Sequence, residues 1–529
     1  MNSSEKGHLE ALASIGRGTL VMLIASTVFL LFNFVGRVAV AHLVSVAAWG
    51  VFNLGVALAS LLALVALLGM AQATARTLSY ETDPMVRRRI VRTAFWVTTI
   101  DAVAVSLVVY VYAAQLAAVF AAGHGSQLTL VFRMFAVTIG FTLEATFLAA
   151  LFQGVERAGP NAWFNQMLNP GLFVVFLGLF FYAHLAFFGV LLAYVLASGV
   201  AFAALAVYTL RNIWGLLPLA EGPPTPVGFG ASREFWSLSV SLWGVNSLAF
   251  VTTFVDTLIL GAFWPATQVG IYSAATTFAR LFLVGNMALT YIFLPVTARL
   301  AREKRMDTIQ WTYVTTTRWV VAITIPLFFL FVFLPHESLG EIFGAGYTAG
   351  DTALVILALG AFVSIVLGPV NACMAGLGQT YTLNLTSLAS ASINIGLSFG
   401  LIPHFGVLGA AIAWSAARVA YPGLGAIALF ASGEITAFRR TLMAPLLLTL
   451  AIGGPVFYGL SLLHPHGWTI FPLFFVALLL FVAATLATRS LNRGDLMVLG
   501  FTERMIGRSL PALRRFLERF ITPDLPITG

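Results

Sequence analysis

The sequence predicts an all-α polytopic membrane protein of about 14 transmembrane helices. These form two parallel six-helix repeats, a C-terminal helix pair and an amphipathic tail. Three observations lead there. Of 529 residues, 60% are hydrophobic and 9% charged, with a mean hydropathy of +0.95, whereas soluble domains carry roughly a quarter charged residues. The hydropathy divides into about fourteen apolar runs of about 20 to 30 residues, each long enough for a tilted helix to cross a bilayer. Threading them alternately, with Met1 in the cytoplasm, puts every Lys and Arg outside a span on the cytoplasmic side, which is the positive-inside pattern.

The runs are continuously apolar rather than alternating, so they are helices and not barrel strands. In order they cover 19–42, 50–75, 91–115, 128–153, 163–183, 186–210, 236–262, 268–298, 315–334, 350–376, 381–402, 405–430, 441–463 and 468–488. The loop after span two holds Arg76, Arg87, Arg88, Arg89 and Arg92. The loop after span eight holds Arg299, Arg302, Lys304, Arg305 and Arg318. Arg439 and Arg440 precede span thirteen, and the tail adds Arg489, Arg493, Arg504, Arg508, Arg514, Arg515 and Arg519. Met1 to Gly18 is polar and precedes a full-length span, so it does not read as a cleaved signal. The one cysteine, Cys373, lies inside a span, so the fold does not depend on a disulfide. The net charge of +8 sits in short loops beside apolar runs, which suits an anionic membrane surface and not nucleic acid.

The expected organisation is an N-terminal six-helix bundle at 1–210 and a Pro/Gly-rich cytoplasmic linker at 211–235. A second six-helix bundle follows at 236–430, then an extra helix pair at 441–488 and a tail at 490–529. The bundles resemble each other. Trp49-Gly50-Val51-Phe52 matches Val269-Gly270-Ile271-Tyr272, Thr74-Ala75-Arg76 matches Thr297-Ala298-Arg299, and Phe188-Gly189-Val190-Leu191 matches Phe405-Gly406-Val407-Leu408. An even number of spans per copy makes the repeats parallel, related by an axis along the membrane normal. In the tail, Leu510, Leu513, Phe516, Leu517 and Phe520 share one helical face opposite Arg514, Arg515 and Arg519, the pattern of a helix lying on the inner leaflet.

Ionisable side chains within spans cost several kcal/mol unless paired or facing water, so each is a site candidate. Arg37, Arg133, Arg280 and Arg418 are the basic ones; Asp101, Glu144 and Asp256 are the acidic ones. Arg280, Arg418 and Glu144 fall near mid-depth, Arg37 and Asp256 in the outer third, and Arg133 within snorkelling reach of the outer end. A surplus of guanidinium suits an anionic cargo, phosphate above all, whose oxygens take the planar fork. A helix-capping or internally paired arginine is the alternative for each. By the 220-residue offset, Asp256 corresponds to Gly36, the neighbour of Arg37, which suggests a gating pair across the repeat axis. Asp256 and Glu144 are the candidates for gating or ion coupling. Trp243, Trp264, Tyr272 and Trp414 either stack on sugar rings or pack and anchor. Pro170, Pro326, Pro369, Pro445 and Pro455 are expected to kink their helices rather than break them. There is no nucleotide-binding loop, metal-site spacing or nucleophile elbow, so the sequence suggests no catalytic residues, metal or cofactor, and no enzyme.

Some segments are familiar. AVAHLVSVAAWGVFNLGVALASLLALVALLGM resembles the first-repeat signature of the polysaccharide-export flippases, whose superfamily also holds multidrug-and-toxin exporters and lipid II flippases. His42 and Trp49 replace the family's usual Arg and Tyr, so no binding role for that Arg carries over. VDTLILGAFWPATQVGIYSAATTFARL is similar to the second-repeat pattern, with Asp256, Gly270 and Tyr272 at matching places. The late section, with Gly346, Asn394, Pro403 and Gly409-Ala410-Ala411, is similar too, so the resemblance spans about 15–430. It implies a two-bundle, alternating-access flippase that moves a polyprenyl-diphosphate-linked oligosaccharide from the inner to the outer leaflet for cell-surface polysaccharide synthesis. It also implies that spans thirteen and fourteen form a groove for the lipid tail. Arg37, Arg280, Arg418, Arg133 and Tyr272 are then the substrate-contact candidates. Expected partners are the lipid-linked oligosaccharide, anionic inner-leaflet lipid at the tail, and glycan-assembly proteins. The expected location is the cytoplasmic membrane with both termini inside. The alternative is a proton- or sodium-coupled multidrug antiporter of the same fold.

Overall fold

The computed structural model describes residues 25–120, 125–157, 159–216, 232–433, 435–465, 467–491 and 520. Nearly all of them are helical, and the protein is an all-α polytopic membrane protein. Among the described residues eleven helices are long and apolar enough to cross a bilayer, and two shorter apolar helices, Thr253–Phe263 and Pro472–Ala487, add to them. The tail lies outside the described residues except for Ser490, Leu491 and Phe520, and 217–231 of the expected linker lies outside them as well. The chain forms two compact units: Met1–Thr277 with Ile395–Ala410, and Phe278–Asn394 with Ala411–Gly529.

The first unit contains α1 (Ala25–Leu43), α2 (Val46–Ala66), α3 (Met70–Tyr80), α4 (Pro84–Val111), α5 (Ala113–Val119) and α6 (Gly125–Gly154). A π-helix over Asn161–Leu168 leads into α7 (Asn169–Tyr182), followed by α8 (Ala186–Leu216) and α9 (Arg233–Phe263). The unit also takes the start of α10 (Ala266–Arg302) and the turn between α15 (Thr380–Phe405) and α16 (Val407–Gly433). α6 packs against α2, α3, α4, α5 and α8. It has buried residues on every face, from Val131 to Gly154, as a helix without a polar side must. Phe52 anchors the α2 side of this core. Its ring lies 5.6 Å from Phe135 and 5.7 Å from Tyr194, both edge-on, and stacks on Trp49 at 5.6 Å. Such pairs contribute about 0.5–1.5 kcal/mol each beyond the area they bury.

Span two was expected to run unbroken through 50–75, but the structure interrupts it. α2 stops at Ala66, Leu68 and Gly69 turn left-handed at φ 46° and 71°, and α3 starts at Met70. The break is stabilised from α9: the Ser239 hydroxyl donates to Leu68 O at 2.6 Å and the Trp243 indole donates to Val65 O at 2.8 Å. In hydrocarbon, carbonyls freed at a break need such donors. Only glycine fits at 69, where a Cβ would sit 2.1 Å from Ser239 O.

α2 and the start of α10 cross at glycines. A Cβ on Gly50 would lie 1.8 Å from Ala266 O, and one on Gly270 would lie 2.2 Å from Val46 O. The contact is reciprocal at the 220-residue offset, each helix start against the other's glycine, as small-residue crossings in membranes allow. At the edge of this unit the Trp264 indole donates to Ile402 O at 2.8 Å, and Gly406, at φ 54°, lies against the Trp264 ring.

The second unit is built around α11 (Met306–Phe333). It packs against α13 (Asp351–Val366), α17 (Arg440–Ser461) and α18 (Ile470–Ala487), with α12 (Pro335–Phe343) alongside; α14 (Val370–Gly376) follows α13 in the chain. Three of the expected kink prolines, Pro326, Pro445 and Pro455, do sit inside continuous helices, and Pro170 opens α7. Pro369 differs. The helix ends at Val366, Gly368 turns left-handed at φ 90°, and α14 restarts at Val370, while the Tyr313 hydroxyl donates to Leu367 O at 2.5 Å. Proline cannot donate to the ladder and Gly368 accepts the turn, so the pair breaks the helix instead of kinking it. Arg318 is a second correction. Position 318 falls both in the expected basic loop and in expected span nine; the structure places it within α11 at 2% exposure, and its guanidinium donates to Ser490 O beyond the end of α18. A cation belongs on the free carbonyls of a helix C-terminus.

Candidate functional site

The first unit holds an open cavity of about 530 Å³. Its wall is made by α1 (Phe29), α3 (Gln72), α6 (Phe141, Thr142, Thr146 and Gln153), the π-helix and start of α7 (Asn161, Asn165 and Asn169) and α8 (Ser198 and Phe202). Alanines at 71, 145, 149, 150 and 201 add to the lining, which contains no charged residue among those described. Five carboxamides and three hydroxyls therefore face an otherwise apolar, aromatic pocket.

Local sequence explains the asparagine row. Pro170 has no N–H to aim at Gln166 O, so the α-helical ladder cannot run through this point. The backbone widens instead into π register, with Asn169 N–H donating to Phe164 O five residues back. Asparagines spaced by four then fall roughly one per turn. Asn165 Nδ2 donates to Asn161 Oδ1 at 3.0 Å, and the Ser26 hydroxyl donates to Gln166 Oε1 at 3.2 Å, tying α1 to the same segment. Across the cavity Phe141 and Phe202 stack at 5.6 Å with 19° between planes. Phe141 has room because residue 199 is glycine; a Cβ there would meet the ring at 3.0 Å. Gln72 Oε1 is buried without a hydrogen-bond partner. Buried polar atoms are normally satisfied, so this acceptor calls for a donor from a guest molecule or water.

The residues singled out from charge lie elsewhere. Arg37 of α1 donates from Nη1 to Asn53 Oδ1 at 3.1 Å and stands 6.0 Å over the Trp49 ring. Asn53 in turn donates to Trp49 O at 2.8 Å. Asp256 and Tyr272 come together: both are 1% exposed, and the tyrosine hydroxyl donates to Asp256 Oδ2 at 2.5 Å. Thr257 adds a backbone N–H to Asp256 Oδ1 at 2.7 Å. Glu144 is buried on α6 with Oε1 unpartnered, between cavity-wall residues yet absent from the wall itself. Arg133 is exposed and lies 5.8 Å over Tyr110. Arg280 and Arg418 belong to the second unit, both half-buried, the latter with a buried Nε that makes no hydrogen bond. Of the aromatic candidates, Trp243 and Trp264 spend their indole N–H on backbone carbonyls.

The described residues of the amide cavity are uncharged, so the ionisable groups of the spans do not point to it. A signal was present: Asn161, Asn165 and Asn169 recur every four residues inside an apolar run, with Gln72 and Gln153 in two others.

The family of polysaccharide biosynthesis proteins matches residues 15–301. A probable low-salt glycan biosynthesis flippase of Haloferax volcanii, Agl15, is 22% identical over 217 residues, covering 41% of this chain and 46% of the relative. The alignment thus spans just under half of that protein. Among solved structures, the lipid II flippase MurJ in an inward closed conformation superposes with a TM-score of 0.68 at 13% identity, covering 90% of this chain and all of that one (100%). An inward-facing multidrug resistance MATE family transporter of the MOP superfamily superposes at 0.61 with 15% identity, covering 77% and 96%. At these identities the structural likeness establishes a shared fold.

Proposed function

As this chain belongs to the polysaccharide biosynthesis protein family, we propose that it is a flippase that carries a polyprenyl-diphosphate-linked oligosaccharide from the inner to the outer leaflet of the cytoplasmic membrane. The observation that carries this reading is the amide-lined cavity of the first unit, uncharged among the described residues. A pocket for a drug cation needs carboxylate or cavity charge to replace lost hydration, since burying an unpaired charge costs many kcal/mol. Carboxamides offer paired donors and acceptors to neutral hydroxyl-bearing groups. Glycan relatedness of the family and of the Haloferax protein supports the same cargo class.

In this reading Arg37, Arg280, Arg418 and Arg133 serve the diphosphate, Tyr272 lies on the substrate path, and Asp256 and Glu144 act in gating or ion coupling. The bundles 1–210 and 236–430 move as parallel repeats, and 441–488 takes the lipid tail. Both termini lie in the cytoplasm, with the basic tail on anionic lipid.

Reconstitution tests the proposal. Proteoliposomes carry a polyprenyl-diphosphate disaccharide, and a membrane-impermeant lectin reports sugar reaching the opposite leaflet. Translocation should exceed that of protein-free vesicles and fall in Arg280→Ala. Efflux of ethidium without glycan translocation would instead establish the multidrug antiporter.

A further inference from the structure

We infer that the cavity of the first unit binds one or two uncharged sugar units of the cargo and rejects sugars that carry an ionised group; this rests on the flippase reading above. Size comes first. About 530 Å³ lies within the range of roughly 300–1,000 Å³ typical of small-molecule sites. That holds a mono- or disaccharide and not a long glycan, so the rest of the cargo extends outside the pocket.

Chemistry comes second. Asn161, Asn165 and Asn169 present a row of amides spaced by about 5–6 Å per helical turn, close to the width of a sugar ring. The Asn165–Asn161 hydrogen bond uses one donor and one acceptor of the row. The remaining amide groups are those that match a hydroxyl, which both donates and accepts. Gln72 of α3 lines the cavity with an Oε1 that no protein donor satisfies, and a rotation of its flexible side chain brings that acceptor to a sugar hydroxyl. The stacked Phe141 and Phe202 offer an aromatic surface to the apolar C–H face of a sugar ring.

Exclusion comes third. Among the described residues no Lys, Arg or His lines the cavity. A uronate, sulfate or phosphate substituent would lose its hydration there without a counter-charge. Recognition of the diphosphate must then occur elsewhere along the path.

Saturation-transfer NMR on the full chain in nanodiscs tests this with two probes, N,N′-diacetylchitobiose and a uronate-containing disaccharide. The neutral disaccharide should bind and the uronate should bind at least several-fold more weakly. Gln72→Leu and Gln153→Leu should each weaken the neutral disaccharide roughly 3- to 10-fold, the loss of one hydrogen bond. Gln153 is exposed, so its replacement leaves packing intact. Equal binding of both probes, or unchanged affinity in Gln153→Leu and Gln72→Leu alike, overturns the inference. Sugar binding of this pattern without lipid-linked glycan translocation refutes the flippase reading alone, and translocation without the pattern refutes the cavity assignment alone.

Discussion

Replacing Gly50 by alanine puts a methyl group into the crossing of α2 with the start of α10. Its Cβ would lie 1.8 Å from Ala266 O, 2.7 Å from Ala266 C and 2.9 Å from Gly270 N. Real Cβ contacts do not fall under 3.0 Å, so the helices must part by more than 1 Å. All three obstructing atoms are backbone, so no side chain can rotate away. Overpacking costs about 1–3 kcal/mol, and a rigid obstacle places this site at the upper end. At about 2–3 kcal/mol the native state loses roughly 30- to 150-fold in population, since 1.4 kcal/mol is a factor of ten. For a large membrane protein that inactivates irreversibly, the measurable quantity is the half-life at fixed temperature. Fluorescence-detected size exclusion after timed heating should show a half-life at least tenfold shorter for Gly50→Ala than for the parent. Gly178→Ala on α7, where a Cβ meets nothing within 4 Å, is the control and should be neutral. Because Gly270 sits in the same crossing, against Val46 O, the double replacement should cost less than the sum of the singles. A Gly50→Ala half-life within twofold of the parent would refute the reasoning, as would strict additivity of the two.

Two further outcomes follow from buried hydrogen bonds. Tyr272→Phe removes the hydroxyl that donates to the buried Asp256 carboxyl, and a hydrogen bond to a carboxylate contributes about 1.5–3 kcal/mol. The same heating assay should register about a tenfold shorter half-life, and no change would mean that Asp256 is satisfied without the tyrosine. In the second unit Gln310 holds the segment before α17 with two bonds, Nε2 to Thr436 O and Thr436 N to Oε1, each 2.7 Å. Gln310→Leu loses both and should speed limited proteolysis around residue 436 several-fold. Gln310→Glu keeps the acceptor and should fall between the two.

The class of this protein was legible because hydropathy is additive along the chain. A bilayer accepts only apolar segments of sufficient length with internally paired backbones, so the helical spans could be read one at a time without knowing their neighbours. Within the described residues each of the fourteen expected spans falls on helix, but spans two and ten are each split into two helices by a break. Charge was legible only in part. Arg318 sits near the end of an apolar run, and its distance from that end says nothing about Ser490, 172 positions later, whose carbonyl it meets.

What the tertiary structure alone decided is where polar groups in apolar surroundings find their partners. The break at Leu67–Gly69 depends on donors from Ser239 and Trp243. The amide cavity depends on α1, α3, α6, α7 and α8 converging, and on a proline that turns one segment into π register. Amides carry no net charge, so they leave no trace among the ionisable groups of the spans. Their meaning arises when helices bring them to one face, because a hydrogen bond is a relation between two places in the chain, whereas hydrophobicity belongs to each residue separately.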